Sequence, residues 1–514
     1  MDRRQFLQGV GMSAIAASSP FAVSGATGKA GSERPNFLII MSDQHSSHVL
    51  GCAGDPVVQT PNLDHLSSRA VTLQHAYCAS PVCVPSRAAF LTGQPPSSSR
   101  VWSNTGRLSS DIPTFAHALE TSGYDTTLIG RMLFYGMDQL HGFRRRLLGD
   151  MVQYPYNAPP MPKEMMQPPL WATGYGTTAF QAYDEAVTAT TLQFLRDQSP
   201  RSGPFCAVVG FLLPHGPNVC PKPEWEYYYD RVKIPECPSG YFDHLHPAMK
   251  QWRKAMHLEN LRPEQVRAAR TGYYGLISVL DRNIGRILSE LERQEFARNT
   301  VVIYTSDHGD SAGENGLWFK MNMYEGAVTV PLMVSCPQRW KPGKRDKITS
   351  LIDVAPTLLE LGQATTLPQA TGHSLVPLLE NRGDHWANEA FSEYPPANGV
   401  PLIRMVRTGK WKLVYFHGFR PQLFNLENDP HEFEDLGDNP EFAEIREKLL
   451  RRILSGWPAD QVNQEIIKQQ AAIDLVKKWE AQVRPPSTLV WQAPSDANRY
   501  TQVPPRGPNP AMKE

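Results

Sequence analysis

The sequence predicts an α/β protein: a large sheet sandwiched by helices, with a smaller C-terminal α+β subdomain containing an antiparallel sheet. Two observations carry this. Short apolar runs at residues 36–41, 126–129, 206–213, 301–305 and 332–335 have the length and composition of buried strands. Helical patterns lie between them, and such alternation builds a sheet covered on both faces. Beyond about residue 389 the texture changes to shorter, alternating segments.

Taken in order, Thr60-Pro61 supplies an N-cap and first-turn pair for a helix over 62–69. Ile277, Leu280, Ile284, Ile287, Leu288 and Leu291 recur at helical spacing just ahead of the strand at 301–305. Residues 403–416 alternate around Thr408-Gly409 as a β-hairpin does, and 422–426 reads as another strand. Residues 441–453 and 462–483 read as helices. The expected organisation is a leader over 1–33, a main domain over 34–388, a C-terminal subdomain over 389–484 and a proline-rich tail over 485–514. The tail is either an arm packed on a neighbouring subunit, giving a homo-oligomer, or without fixed structure.

A chain of 514 residues exceeds one ordinary small core. Lysine plus arginine and aspartate plus glutamate number 51 each, so no global field favours nucleic acid and anion selectivity has to be local. Seven cysteines (Cys52, Cys78, Cys83, Cys206, Cys220, Cys237 and Cys336) contain no CxxC pair or zinc spacing and no evident disulfide framework. Arg3-Arg4-Gln5-Phe6-Leu7 precedes a mildly apolar stretch and then Ser24-Gly25-Ala26. This resembles a twin-arginine export signal, so the expected location is periplasmic or extracellular, reached through the twin-arginine translocase. Nothing later approaches ~18 consecutive apolar residues, so no integral membrane segment is expected.

Four of the predicted strands end in chemistry. The first runs into Ser42-Asp43-Gln44, the second into Gly130-Arg131, the third into Pro214-His215-Gly216-Pro217 and the fourth into Ser306-Asp307-His308-Gly309-Asp310. Ligands of open α/β sheets bind outside the carboxyl ends of strands, so four such ends point to one convergent site. Asp43, the amide oxygen of Gln44 and Asp307 offer oxygen ligands to a divalent cation, and His308 adds a nitrogen. Taken singly, each pair is also compatible with a helix cap or a solvated turn.

Cys83-Val84-Pro85-Ser86-Arg87, continued by Ala88-Ala89-Phe90-Leu91-Thr92-Gly93, has a cysteine, a proline two places on and an arginine four places on. The helix it opens puts residue 83 at an N-terminus, where backbone N–H groups favour an anion. A buried structural thiol is the alternative. Across residues 35–480 the chain resembles formylglycine-dependent sulfatases of the alkaline-phosphatase-like superfamily. The carrying segments are 36–44, Thr60-Pro61-Asn62-Leu63-Asp64, 83–93, 306–310, and Lys320 with Tyr324-Glu325-Gly326. Residues 110–117 and 138–143, with the Asp43-Gln44 and Asp307-His308 pairs, resemble the choline sulfatase and phosphonate monoester hydrolase subgroup.

The resemblance implies a large mixed sheet of alkaline-phosphatase-like type, and Cys83 converted to 3-oxoalanine (formylglycine) by a formylglycine-generating or anaerobic maturation enzyme. It implies one metal, calcium before manganese or magnesium, held by Asp43, Gln44, residue 83, Asp307 and His308. The aldehyde hydrate would attack sulfur and then collapse to expel sulfate. Lys320 matches the lysine on the sulfate oxygens, His215 the general acid, and Arg87 a group that orients the hydrate or its loop. Arg131 and Asn104 are expected to bind substrate. Leu133 stands where many sulfatases carry a histidine that helps the hydrate collapse. Three functions therefore stay open: a sulfatase for an organic or carbohydrate sulfate, a phosphonate monoester or phosphodiester hydrolase, and a silent sulfated-glycan-binding protein. Tyr154, Tyr156, Trp171, Tyr227 and Tyr228 are candidates to stack on the alcohol half of a substrate, with packing as the alternative.

Overall fold

The structure, a computed structural model, describes residues 34–154, 170, 172–199, 203–397, 400–487 and 489–503. The leader, Tyr156 and Trp171 lie outside the described residues. The main-domain strands are β1 (Asn36–Asp43), β2 (Val71–Tyr77), β3 (Asp125–Gly130), β4 (Arg145–Leu148), β5 (Thr173–Thr177), β6 (Phe205–Pro214), β7 (Asn218–Cys220), β8 (Thr300–Ser306), β9 (Thr329–Val330), β10 (Leu332–Ser335) and β11 (Gly343–Ser350). The C-terminal strands are β12 (Glu389–Tyr394), β13 (Ile403–Thr408), β14 (Trp411–Phe416), β15 (Gln422–Asn425) and β16 (Arg499–Gln502). The helices that matter here are α1 (Pro61–Ser68), α2 (Cys83–Thr92), α3 (Ala179–Asp197), α4 (Pro263–Glu292), α5 (Ala443–Leu454) and α6 (Ala459–Val483).

The large sheet runs β11-β2-β10-β8-β1-β6-β3-β4, with β9 paired to β2. It is mixed: β1 pairs in parallel with β6 and β8, while β10 runs antiparallel to β8 and β2. Every residue of β1 is buried, and side chains along a strand alternate between faces. Phe37, Ile39 and Met41 therefore enter one core, and Leu38 and Ile40 enter the other. Two-sided burial explains why this segment reads as a continuous apolar run. β11 is an edge strand whose outer half, Gly343-Lys344-Arg345-Asp346-Lys347, carries charge, a pattern that blunts edges and hides the strand from an apolar search.

The carboxyl ends of β3 and β6 meet closely because both carry glycine. A Cβ on Gly210 would come within 1.8 Å of the Arg131 carbonyl oxygen, and one on Gly130, at φ +90°, within 2.4 Å of the Gly210 oxygen. The close approach delivers Arg131 to the same sheet edge as β1 and β8. Helix α1 forms where expected, but Thr60 does not cap it through its side chain. Asp281 of α4 caps it instead, accepting the N–H groups of Asn62 and Leu63 at 3.2 and 2.8 Å.

β12-β13-β14-β15 form a separate antiparallel sheet, with α5 packed on it. A buried ionic knot ties it to the main domain. Lys412 on β14 donates to Glu325 at 2.8 Å and pairs with Glu432; Glu325 also accepts from Tyr77 at 2.8 Å, and its own N–H donates to Glu432 at 2.7 Å. The tail was expected to pack on a neighbouring subunit or to lack fixed structure, and residues 485–487 and 489–503 of it are described. It folds back along its own main domain, where β16 adds antiparallel to β5 in the sheet β16-β5-β7 and Trp491 donates its N–H to the Asp150 carbonyl. Among the described residues no helix is long and apolar enough to cross a membrane.

Removing one member of a buried ion-pair cluster leaves the others uncompensated. Lys412→Met is expected to destabilise the protein by about 3 kcal/mol or more, read as a lowered midpoint in urea unfolding. An unchanged midpoint would mean that the knot does not hold the two parts together.

Candidate active site

The expected strand ends converge. Cys83 is the first residue of α2, all ten residues of which are buried, and Gly93 closes the helix in the left-handed conformation at φ +65°. Asp43, at the end of β1, and Asp307-His308, just past β8, face it. Cys83 Sγ lies 3.2 Å from His308 Nε2, 3.6 Å from Asp43 Oδ1 and 3.4 Å from Lys320 Nζ. One ligand atom each from Asp43, Cys83, Asp307 and His308 falls within 4.8 Å of all the others, and all four residues are buried.

This donor set fits a divalent cation. It joins two hard carboxylates with an imidazole oriented from behind, because His308 Nδ1 is 2.9 Å from the Gly309 carbonyl and turns Nε2 toward Cys83. Gln44 was expected to give the metal its amide oxygen. Its side chain lies between two other groups, its amide oxygen accepting from Lys320 at 2.6 Å and its Nε2 donating to Asp310. An amide oxygen carries two lone pairs, so the bond from Lys320 leaves one for a cation. Asp310 stands in the quoted strand-end run but had no assigned role, and its burial is what reveals one.

Arg87 is neither a simple helix cap nor free to meet a substrate. It is 1 % exposed and donates through Nε to Asp307 Oδ2 at 2.8 Å, through Nη1 to the Arg131 carbonyl at 2.8 Å and through Nη2 to Asp43 Oδ2 at 3.3 Å. Arg131 donates to the same Asp43 oxygen at 2.6 Å. Asn104 accepts the Val84 N–H at 3.1 Å, so its oxygen caps the helix beside Cys83.

The charges set protonation. Burial alone would raise the Asp43 pKa, but Arg131, His215, Arg87 and Lys320 together hold it well below the carboxylate range. Burial, reinforced by Asp43, pushes the Cys83 thiol up to about 11, so as a cysteine it stays protonated near neutral pH and is a poor nucleophile. Burial and then Lys320 and Arg131 push His215 well below its ordinary value, and its Nδ1 sits 2.8 Å from the Gly216 carbonyl. These surroundings favour the neutral imidazole, whereas a general acid has to carry a proton.

Leu133 is buried against Cys83, Val84, Ala88 and Val101, with Tyr135 beside it. Its φ of +63° is unusual for leucine, and Asp150 holds the turn. One oxygen of Asp150 accepts the Met132 and Leu133 N–H groups at 3.1 and 2.7 Å and Arg146 at 2.6 Å. Sequence reading missed Asp150 because an isolated Gly-Asp carries no periodic or motif signal. Of the aromatic candidates, Tyr154 is buried with its hydroxyl on Met137 Sδ, Tyr228 is buried against Ser278, and Tyr227 stacks under Arg231. These three therefore pack.

Asp150→Ala removes an acceptor from two N–H groups and strands buried Arg146, which predicts a loss of about 3–5 kcal/mol. Asp150→Asn keeps an acceptor oxygen and should fall between. Thermal unfolding of both variants checks this, and a wild-type transition for Asp150→Ala would contradict it.

Comparison with known proteins follows the same residues. The Sulfatase family profile matches residues 35–364, and that of the N-sulphoglucosamine sulphohydrolase C-terminal region matches 313–456. A choline-sulfatase of Rhizobium meliloti (strain 1021) is 36% identical over 431 residues, covering 79% of this chain and 83% of the relative. Arylsulfatase K of Danio rerio is 28% identical, covering 82% and 84%. The crystal structure of a phosphonate monoester hydrolase of Agrobacterium radiobacter superposes with a TM-score of 0.71 at 24% identity, covering 82% of this chain and 95% of that one. The fold is the alkaline-phosphatase-like fold of these proteins.

Proposed function

Because the chain belongs to the sulfatase family, we propose that it hydrolyses a sulfate monoester of a small alcohol or sugar, using formylglycine at position 83 and one divalent cation. The observation that carries this reading is the convergence of Asp43, Asp307 and His308 on Cys83 at the N-terminus of α2. With formylglycine and a cation in place, the hydrate would offer one hydroxyl for attack on sulfur as the alcohol leaves and a second whose deprotonation would re-form the aldehyde as the C–O bond to sulfate breaks, and the cation would lower the pKa of the attacking hydroxyl.

The chain's own residues do the rest. Asp43, Asp307 and His308 would hold the cation, calcium before manganese or magnesium, with the Gln44 oxygen, which already accepts from Lys320, as a further ligand through its second lone pair. Lys320, 3.4 Å from Cys83 Sγ, and Arg131 meet the sulfate oxygens. Arg87 keeps the two carboxylates in place. An anionic ester offsets Lys320 and Arg131, two of the causes that keep His215 neutral. Binding thereby favours the protonated imidazole that the leaving oxygen needs. Export through the twin-arginine route fits Arg3-Arg4, and a route that carries folded proteins allows residue 83 to be modified first.

Leu133, packed on Cys83, cannot accept the proton released on hydrate collapse and so motivates a silent sulfated-glycan-binding protein, while a phosphonate monoester or phosphodiester hydrolase is the alternative that changes the substrate. With the aldehyde verified, parallel assays are expected to show aryl sulfate turned over faster than an aryl phosphonate monoester. The reverse preference would overturn the sulfate reading, and no turnover of either would point to a silent binding protein. His215→Ala should lower kcat by about 10²–10⁴-fold for an alkyl sulfate, and less for nitrophenyl sulfate, whose leaving group needs little protonation. Equal losses on both substrates would remove His215 from the general-acid role. EDTA treatment should lower both turnover and the unfolding temperature, with recovery on adding calcium, manganese or magnesium ranking the metals.

A further inference from the structure

We propose that the outward face of α6 is a two-fold interface with a second copy of this chain. Only Ala459, Val462 and Glu480 of its 25 residues are buried. Half-buried Ile466, Gln469 and Ile473 share the inward seam with Val462 and Glu480. The opposite side carries Ile467, exposed Ala471, Leu475, Trp479 and Val483, one every four residues. Their exposures are 60% for Ile467, 69% for Leu475, 48% for Trp479 and 54% for Val483. With Val476, α6 holds five of the ten large exposed apolar side chains among the described residues. Such a concentration marks an interaction surface, and residues four apart form a ridge suited to another helix.

The stripe selects its own copy. It is centred on Leu475, so an antiparallel two-fold places Leu475 on Leu475 and small Ala471 beside large Trp479, while the drift of about 40° per four residues turns Ile467 and Val483 to the two flanks of the seam. A two-fold interface requires this self-matching. Asp474 and Lys478 border the stripe on one side. The same rotation brings Lys478 of one copy within a turn of Asp474 of the other, while Glu480 is already paired to Arg107 at 2.7 Å. A membrane surface fits less well: α6 carries Asp460, Glu465, Asp474 and Glu480 against Lys468, Lys477 and Lys478, without the basic excess that anionic lipid attracts. The described part of the tail does not supply the cover, since it runs back to Asp150 and β5.

The test uses the full chain. Light scattering across a concentration series should give twice the chain mass. Leu475→Glu with Trp479→Glu should halve that mass while keeping the wild-type far-ultraviolet circular dichroism, because neither side chain is buried within its own chain. Leu475→Cys lies on the axis and should form a disulfide-linked dimer under mild oxidation. Ile467→Cys, roughly 24 Å from its own mate along the helices, should not. A monomeric wild type, a dimer that survives the double variant, or equal cross-linking at both positions would overturn the proposal. So would flotation with phosphatidylcholine–phosphatidylserine vesicles that the double variant abolishes, which would assign the face to a membrane.

Discussion

Two buried carboxylates can share one small volume only if something neutralises them, and Arg87 is the constraint on which the site depends. It bridges Asp43 and Asp307 from within α2, the helix that begins at Cys83. The side chain four residues after the cysteine thus ties that cysteine's helix to the ends of β1 and β8. Burying this much charge is costly unless every partner is present. Arg131 and Lys320 add two further cations beside Asp43 and Asp307, so the first layer of the site has three cations against two carboxylates. That excess suits an anionic substrate, and a bound divalent cation would increase it.

The scaffold explains how distant residues reach this point. β1 lies between β6 and β8, so Asp43, His215 and Asp307 arrive from adjacent strand ends. Glycines at 130 and 210 let β3 close up and bring in Arg131. Asp150 then fixes the turn through Leu133, and the tail packs behind Asp150 through Trp491. The C-terminal sheet contributes through Glu325, which follows Lys320 by five residues and is held by Lys412.

Much of this was legible in the sequence, for physical reasons. The five buried strands read as short, largely apolar runs, and the chemistry follows four of them directly, so Asp43, Arg131, His215, Asp307 and His308 could be placed together. The hairpin over β13 and β14 and the two final helices declared themselves by period and turn residues. What stayed hidden depends on partners far away in the chain. Asp281 caps a helix more than two hundred residues earlier, and β16 pairs with β5 across more than three hundred. The hold of Lys320 on the Gln44 oxygen, and the neutral state of His215, exist only once the groups are packed together. The apolar stripe of α6 was present in its sequence, but only the structure shows which side of the helix faces outward.

The central claim is that residue 83 works as an aldehyde and not as the thiol that its surroundings keep protonated. Mass spectrometry of the peptide spanning Cys83, from protein produced together with a maturation enzyme, tests this most directly. The account predicts the aldehyde mass, with capture by a hydrazide probe, in a preparation whose activity rises with the fraction converted. A fully active preparation in which residue 83 remains an unmodified cysteine would contradict it.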